Sequence, residues 1–318
     1  MSMLGVSILG AEAVNNRPII GVLTQPRGAN ASYMAASYVK FIESAGGRVV
    51  PIHYEAPQHQ LKEIFSSING VLFPGGSTNL ANTTQYASTA RYLFDLAKQA
   101  NQKGDVFPVW GTCLGFELVG MLVAEEDSVN CVGCFHAYSL PLPLNLTAKA
   151  KTSKMFGSLD SDLFKAANTL NITMNMHQSG IKPQEFREGS KLDGFFNVIS
   201  TNYDANGLEF VSSMEGKEFP VFATQWHPEK NNFEWTRSIP TPHSMSAVRL
   251  SQAMANVFLS AARQSSHTFP DSKAEYDALI YNKNPVRGTY YDQMYVWGRG
   301  GDNNISTNEF LLNASEHS

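Results

Sequence analysis

Clusters of basic residues are missing from this chain of 318 residues, which carries 24 Lys and Arg against 28 Asp and Glu, a formal charge of −4 at pH 7. Proteins that bind nucleic acid concentrate positive charge along the phosphates, so no nucleic acid is expected as a partner. No apolar run approaches the roughly 20 residues of a membrane-spanning helix, so no membrane span is expected. Repeats and low-complexity tracts are also missing, which argues against solenoids and disordered chains.

The residues that are present suit one large enzyme domain, because 43% of them are hydrophobic and a chain of this length can bury an extensive core. Strand-like and helix-like segments alternate in the first part of the chain. The predicted strands are Ile19 to Thr24, Arg48 to Ile52, Gly70 to Phe73 and Val106 to Trp110, and the predicted helices are Tyr33 to Ser44, Gln60 to Ile68 and Tyr86 to Gln102. This alternation predicts an α/β fold with a mostly parallel central sheet and helices on both faces.

The pattern changes in the second half of the sequence. Strand-like runs separated by turns, from Ser139 to Met214, predict an antiparallel extension of the sheet, and Ser246 to Ser260 predicts a closing helix. No domain boundary is visible within this region.

One Gly-x-Cys-x-Gly pattern, Gly111 to Gly115, joins an apolar strand to the helix-compatible segment Leu114 to Ala124. Such a sharp strand-to-helix turn lifts a nucleophile above the sheet edge, and glycines on both sides permit the close backbone approach. The position of Cys113 at a helix N-terminus also favours its thiolate. Taken alone, the segment also fits an inert cysteine packed between two turn glycines.

A second short strand, beginning at Val221, runs into His227-Pro228-Glu229. A nucleophilic thiol needs a base, and that base needs a third group that fixes its tautomer, so His227 and Glu229 are the candidate partners of Cys113. An ordinary satisfied histidine is the alternative where no reactive cysteine exists. Both motifs follow predicted strands, and ligands bind beyond the carboxyl ends of strands in parallel sheets.

Several segments resemble the triad (class I) glutamine amidotransferase family and, within it, the gamma-glutamyl hydrolases, also called folylpolyglutamate hydrolases. They are RPIIGVLTQ (17–25), AASYVKFIESAG (35–46), SINGVLFPGGS (67–77), FPVWGTCLGFE (107–117), FFNVISTN (195–202), SMEG (213–216) and PVFATQWHPEK (220–230). The resemblance covers residues 17–290, so we expect one catalytic domain there. Residues 1–16 are then expected to be a signal-peptide remnant or disordered tail, and residues 291–318 a C-terminal tail.

The resemblance implies a flavodoxin-like core and hydrolysis of γ-glutamyl bonds in folylpoly-γ-glutamates and antifolate polyglutamates through a thioester on Cys113. It implies the backbone N–H groups of Gly76 and Leu114 as the oxyanion hole, with Gly75 beside them as a substrate-binding residue. It requires no cofactor or metal. It also implies a homodimer and a lysosomal, vacuolar or secreted location.

Two further side chains match positions that face the substrate in the family. His177 is one, although it could instead cap a strand. Glu117 stands where relatives that use glutamine often carry Gln, and a salt bridge within its helix is the alternative role. A carboxylate there would repel the α-carboxylate of a substrate, which makes glutamine a doubtful substrate.

The three cysteines leave their pairing open. Cys131 and Cys134 could form a disulfide, remain two unpaired thiols, or bind zinc with His136, although a second ligand cluster for zinc is missing. Six Asn-x-Ser/Thr sequons favour a secretory route: Asn30, Asn82, Asn145, Asn171, Asn304 and Asn313.

Other functions remain compatible with the same motifs. They include hydrolysis of other γ-glutamyl amides, a glutaminase subunit that passes ammonia to a synthase, and a non-enzymatic or redox protein in which Cys113 is oxidised. If the chain is a hydrolase of an acidic compartment, a thiolate–imidazolium pair is expected to hold the pKa of Cys113 below that of a free cysteine.

Overall fold

The computed structural model describes residues 14–29, 31–288 and 290–298. Its strands are β1 Ile19–Leu23, β2 Gln25–Arg27, β3 Ala31–Ala35, β4 Arg48–Ile52, β5 Val71–Phe73, β6 Val109–Thr112, β7 Ala137–Leu142, β8 Asn145–Leu146, β9 Thr173–His177, β10 Phe196–Tyr203, β11 Glu209–Gly216, β12 Val221–Thr224, β13 Val286–Arg287 and β14 Gln293–Gly298. Its helices are α1 Ala36–Ser44, α2 Gln58–Phe65, α3 Gln85–Gln102, α4 Leu114–Ala124, α5 Ser161–Thr169, α6 Lys191–Phe195, α7 Lys230–Phe233, α8 Met245–Ala262 and α9 Ser272–Ala278.

An eight-stranded sheet in the order β4-β1-β5-β6-β12-β11-β10-β8 forms the centre of the molecule. The first five of these strands are parallel to one another, and the last three continue the sheet antiparallel. The parallel strands follow the flavodoxin-like order. The predicted fold class, a mostly parallel sheet with an antiparallel extension, is therefore confirmed.

Alternate residues of β1 enter two different cores, as expected for a strand buried on both faces. Ile19 and Leu23 join a core that includes residues of α2, α3 and α4, whereas Ile20 and Val22 join one that includes residues of α1, α5 and α8. Helices therefore cover both faces of the sheet. α4 is buried along nearly its whole length, which explains why its sequence is apolar on all sides.

A smaller sheet, β13-β14-β3-β2, corrects one prediction from the sequence. The helix predicted from Tyr33 begins only at Ala36, because residues 31–35 form β3 and pair with β14, far away in the chain. Helix propensity is a weak preference that such long-range pairing overrides.

The same pairing corrects the predicted domain limits. Residues 293–298, which the sequence assigned to a C-terminal tail, form β14 and belong to the folded domain. At the other end, the Asn15 N–H donates to the Arg263 carbonyl oxygen at 2.7 Å, so the described part of the predicted 1–16 tail contacts the domain. Residues 1–13, the rest of that predicted tail, lie outside the described residues. Within the described residues, no helix combines the length and apolarity that crossing a bilayer would require.

Candidate active site

Cys113 occupies the turn between β6 and α4 with φ 52° and ψ −107°. This backbone conformation costs a residue with a side chain about 1–3 kcal/mol, so the surrounding structure must hold it. The Cys113 N–H donates to the Thr224 carbonyl oxygen at 2.8 Å, which ties the turn to the end of β12. The geometry is that of a nucleophile elbow, as the sequence predicts.

The glycines on either side of the cysteine are steric requirements. A Cβ on Gly115 would lie 1.9 Å from the Phe73 carbonyl oxygen, and one on Gly111 would lie 2.5 Å from the Gly115 carbonyl oxygen. The Gly-x-Cys-x-Gly spacing therefore reflects how closely the elbow approaches the end of β5.

His227 reaches this turn because β12 runs parallel to β6, with Thr224 opposite Thr112. Its Nδ1 lies 2.6 Å from Oε1 of Glu229, so the carboxylate fixes the ring as the sequence predicts. The His227 Nε2 is buried and has no hydrogen-bond partner among the described residues. That nitrogen is therefore available to exchange a proton with a reacting group.

Gly75 marks the place where the thiol and the imidazole meet. A Cβ on Gly75 would lie 2.7 Å from His227 Cε1, 2.7 Å from the Tyr38 hydroxyl and 3.1 Å from Cys113 Cβ. Cys113 and His227, which are far apart in sequence, thus approach the same point. Gly75 leaves space between these groups, and its substrate-binding role stays a prediction.

The two predicted oxyanion-hole residues, Gly76 and Leu114, line the same cavity as the thiol. The Leu114 N–H interacts with the Cys113 sulfur and acts to lower the pKa of the thiol. Within the described part of the chain, the N–H of Gly76 donates to no protein acceptor. Both predicted oxyanion-hole donors are therefore compatible with binding an oxyanion next to Cys113.

The loop that contains Gly75 and Gly76, the glycine loop, is held in place by polar side chains. No motif in the sequence identifies these side chains. Gln25 Nε2 donates to the Gly75 carbonyl oxygen at 2.9 Å, and the Gly75 N–H donates to the Tyr38 hydroxyl at 2.7 Å. Gly76 packs so closely on Gln25 that a Cβ would lie 1.8 Å from Oε1. Gln25 lies at the end of a segment that resembles the family, but its role follows only from these contacts.

The electrostatics of the buried site oppose the expected thiolate–imidazolium pair, which stays a prediction. Burial raises the pKa of the Cys113 thiol well above its ordinary value, and the carboxylates of Glu117 and Glu229 raise it further. Burial also lowers the pKa of His227, against the opposing effect of Glu229. Both directions favour a neutral thiol and a neutral imidazole in the free protein.

Glu117 lies one helical turn after the nucleophile and is only 4% exposed. Its Oε1 accepts from Gln225 Nε2 and its Oε2 from Asn130 Nδ2, each at 3.1 Å. The salt bridge considered for this residue is not formed with any described cation. Burial raises the pKa of Glu117 to about 7, although both amide hydrogen bonds oppose the shift.

His177 ends β9 and lies 4.7 Å from the Phe210 ring, centroid to centroid, in an edge-on arrangement. Its Nδ1 lies 2.8 Å from the Ser179 carbonyl oxygen, and its Nε2 lies 3.3 Å from Asn175 Oδ1. Burial lowers the pKa of His177 to about 4, so the ring is neutral at physiological pH. His177 therefore has local structural partners and also borders the cavity described next.

An open cavity of about 2060 Å³ lies above these residues. It is larger than the roughly 300–1,000 Å³ of a typical small-molecule site, so an extended substrate would fit. The predicted residues that line it are Cys113, Leu114, Gly76, Glu117, His177 and His227. Two cationic side chains, Arg27 and Lys230, line it as well.

The other cysteines form a disulfide, Cys131–Cys134, with their Cα atoms 5.6 Å apart, and Cys113 is the free thiol. Of the three states that the sequence left open for Cys131 and Cys134, the structure therefore shows the disulfide. Among the described residues, no cluster of His, Cys, Asp or Glu is arranged to bind a metal.

Comparison with known proteins agrees with this geometry. The chain is 42% identical to the gamma-glutamyl hydrolase of Rattus norvegicus, with 86% of this chain and 87% of the relative covered. It is 39% identical to gamma-glutamyl hydrolase B of Dictyostelium discoideum (94% and 88% covered) and 36% identical to the gamma-glutamyl hydrolase of Homo sapiens (90% and 93% covered). The Peptidase C26 family model matches residues 18–229, so this chain belongs to the Peptidase C26 family and is a hydrolase.

Proposed function

We propose that this protein hydrolyses γ-glutamyl bonds through a thioester on Cys113, and that its substrates are folylpoly-γ-glutamates and antifolate polyglutamates. The observation that carries the proposal is the convergence of Cys113 and His227 around Gly75, with Glu229 hydrogen-bonded to the imidazole, beside an open cavity. The names of the relatives support the γ-glutamyl bond as the target.

The first half of the reaction follows from the neutral thiol and the free Nε2. The Cys113 sulfur attacks the γ-carbonyl carbon while its proton moves to His227 Nε2, and Glu229 stabilises the resulting imidazolium. The backbone N–H groups of Gly76 and Leu114 donate to the oxyanion, and losing one such donor typically costs about 3–4 kcal/mol in the transition state. His227 then returns the proton to the departing amine, which releases glutamate or a short poly-γ-glutamate.

Water completes the cycle. His227 accepts a proton from the water that attacks the thioester, and the acyl product leaves with Cys113 restored as a thiol. No cofactor enters this scheme.

The scheme predicts that C113A folds but does not release glutamate from a γ-glutamyl peptide. The substitution removes the nucleophile from a turn whose backbone hydrogen bond to Thr224 does not use the thiol. Amino-acid analysis of the reaction mixture, together with circular dichroism of the variant, checks both parts. Turnover by a folded C113A at the wild-type rate would contradict the proposal.

A panel of substrates separates this function from hydrolysis of other γ-glutamyl amides. We expect kcat/KM to be higher for γ-glutamyl chains attached to a folate than for those attached to other amines. Free glutamine, the substrate of an amidotransferase glutaminase, should be hydrolysed slowly because its leaving group is ammonia.

We also propose that the protein is a secreted, lysosomal or vacuolar glycoprotein that forms a homodimer. The side chains of Asn82, Asn145 and Asn171, which begin three of the sequons, are exposed, so glycans could attach there. The remaining sequons, Asn30, Asn304 and Asn313, lie outside the described residues. A mass loss on endoglycosidase treatment of protein from a eukaryotic host tests glycosylation, and sedimentation tests the dimer.

A further inference from the structure

Lys230 is a buried cation in the wall of the active-site cavity. It follows the His227-Pro228-Glu229 motif and begins α7, and it is only 4% exposed. Its ammonium lies 5.0 Å from the centroid of the Tyr291 ring, in a wall of the active-site cavity. Among the described residues, no carboxylate forms an ion pair with it, whereas the exposed Lys191 does pair with a glutamate.

The carboxylates near Lys230 each have another partner, although Glu229 Oε2 accepts no hydrogen bond among the described residues. Glu229 Oε1 is 2.6 Å from His227 Nδ1, and Glu234 accepts from the Asp292 N–H at 2.8 Å. A buried charge is costly unless a hydrogen-bonded partner of opposite charge satisfies it. The site is therefore suited to an anion that enters through the cavity.

The charge of Lys230 acts on the catalytic groups themselves. It lowers the pKa of Cys113 and of His227, although burial is the largest effect on both. Lys230 thus lines the same cavity as the thiol and the imidazole, and its charge acts on both groups. Arg27 lines the same cavity, but its guanidinium lies 5.8 Å above the Tyr33 ring and donates to the Met294 sulfur at 3.4 Å.

The chemistry of the leaving group identifies the anion. When a γ-glutamyl bond within a polyglutamate breaks, the departing amine nitrogen is attached to a carbon that carries an α-carboxylate. His227 must donate a proton to that nitrogen, so the α-carboxylate comes to lie close to the imidazole. Ammonia and simple amines bring no such charge.

We propose that Lys230 binds the α-carboxylate of the glutamyl residue that leaves, and thereby selects glutamate-type leaving groups over ammonia and neutral amines. This assignment rests on the proposed function, since it names the group that the same site recognises. A purely structural role for Lys230, as a countercharge to Glu229 and Glu234, makes a different prediction: all substrates would be affected equally.

The test compares two substrates, γ-glutamyl-glutamate and γ-glutamyl-p-nitroanilide, whose leaving amine has no carboxylate. In K230M, the ratio of kcat/KM between the first and the second should fall about 10- to 100-fold, the range expected for a hydrogen bond to a charged group. K230R should retain most of the ratio because it keeps the charge. The matched control is K283M, since Lys283 also lies over an aromatic ring, 6.0 Å from the Trp297 centroid, but outside the cavity lining. K283M should not change the ratio.

An unchanged ratio in a folded K230M overturns the assignment of Lys230 while leaving the proposed function intact. A wild-type protein that cleaves neither these two substrates nor a folylpoly-γ-glutamate overturns the proposed function instead. If K230M does not fold, the wild type provides the test through the substrate: converting the leaving α-carboxylate of γ-glutamyl-glutamate to a carboxamide should lower kcat/KM at least about 10-fold. Equal rates for the acid and the amide overturn the proposal.

Discussion

Gly75 shows how one residue without a side chain can define a catalytic site. The thiol, the imidazole and the Tyr38 hydroxyl all lie around the position that its Cβ would occupy. Its N–H and carbonyl groups are both used, by Tyr38 and Gln25, so the backbone is fixed there. The glycine therefore keeps open the space between Cys113 and His227.

G75A should lower kcat for a γ-glutamyl substrate by about 100-fold, because a methyl group would displace His227 from Cys113 and misplacement by about 1 Å costs this much. Steady-state kinetics measure the change. G194A is the matched control, since Gly194 lies in α6 and an added Cβ would meet nothing within 4 Å. It should retain activity and gain up to about 1 kcal/mol of stability. Full activity in G75A would contradict the geometry.

Glu117 makes the free energy of unfolding depend on pH, because folding shifts its pKa. Burial raises its pKa to about 7 from an ordinary 4.5, and amides rather than cations are its partners. The unfolded chain loses this proton at lower pH, so between about pH 4.5 and 7 the folded state binds more protons than the unfolded state. The contribution of Glu117 to the free energy of unfolding is therefore lost as pH rises through this window.

E117Q should flatten this part of the stability profile, because glutamine does not titrate. Urea unfolding at pH 5 and pH 8 should show that the wild type loses up to about 3 kcal/mol more than the variant. E218Q, which replaces an exposed carboxyl, is the control and should behave like the wild type. If the wild type and E117Q lose equal stability between the two pH values, the burial of an ionisable Glu117 is not the cause.

At the scale of elements, the turn that contains the disulfide and the residue before it are hydrogen-bonded to segments that line the cavity. Within it, the Cys131 N–H donates to the Gly180 carbonyl oxygen at 2.8 Å, next to His177 and Ser179. Asn130, which precedes the turn, donates to Glu117. The Cys131–Cys134 bond thus lies in the loop that places two of the groups around the cavity.

The disulfide predicts the number of thiols per chain. Unfolded without reductant, the wild type should show one reactive thiol, and after reduction it should show three. C113A should show none before reduction. Titration with a thiol reagent in guanidinium chloride makes the measurement, and three thiols in unreduced wild type would show that Cys131 and Cys134 are unpaired.

The sequence reveals those elements whose function needs a local pattern. Cys113, His227 and Glu229 can be identified because an elbow and a histidine–carboxylate pair each require fixed spacing. β3 cannot be identified from the sequence, because its residues also suit a helix that would extend α1 towards the N-terminus. Only their pairing with β14 makes them a strand. Gln25 and Lys230 are similar: a single polar residue carries no signal until the fold shows what it contacts.

At the scale of the whole molecule, the parallel sheet explains why distant motifs form one site. β5, β6 and β12 are adjacent and parallel, so the glycine loop, the elbow and the histidine all follow strand ends at the same edge. The chain is acidic overall, with a charge of −4, yet Arg27 and Lys230 lie in the cavity wall. Attraction of a polyanionic substrate therefore depends on local cations rather than on net charge.

The central claim is that Cys113 becomes acylated during turnover. The most direct measurement is mass spectrometry of the protein after brief exposure to a γ-glutamyl substrate and acid quenching. We predict a mass increase equal to the acyl part of the substrate, located on the peptide that contains Cys113 and missing from C113A. Turnover with no adduct at Cys113, and with activity retained in C113A, would contradict the account.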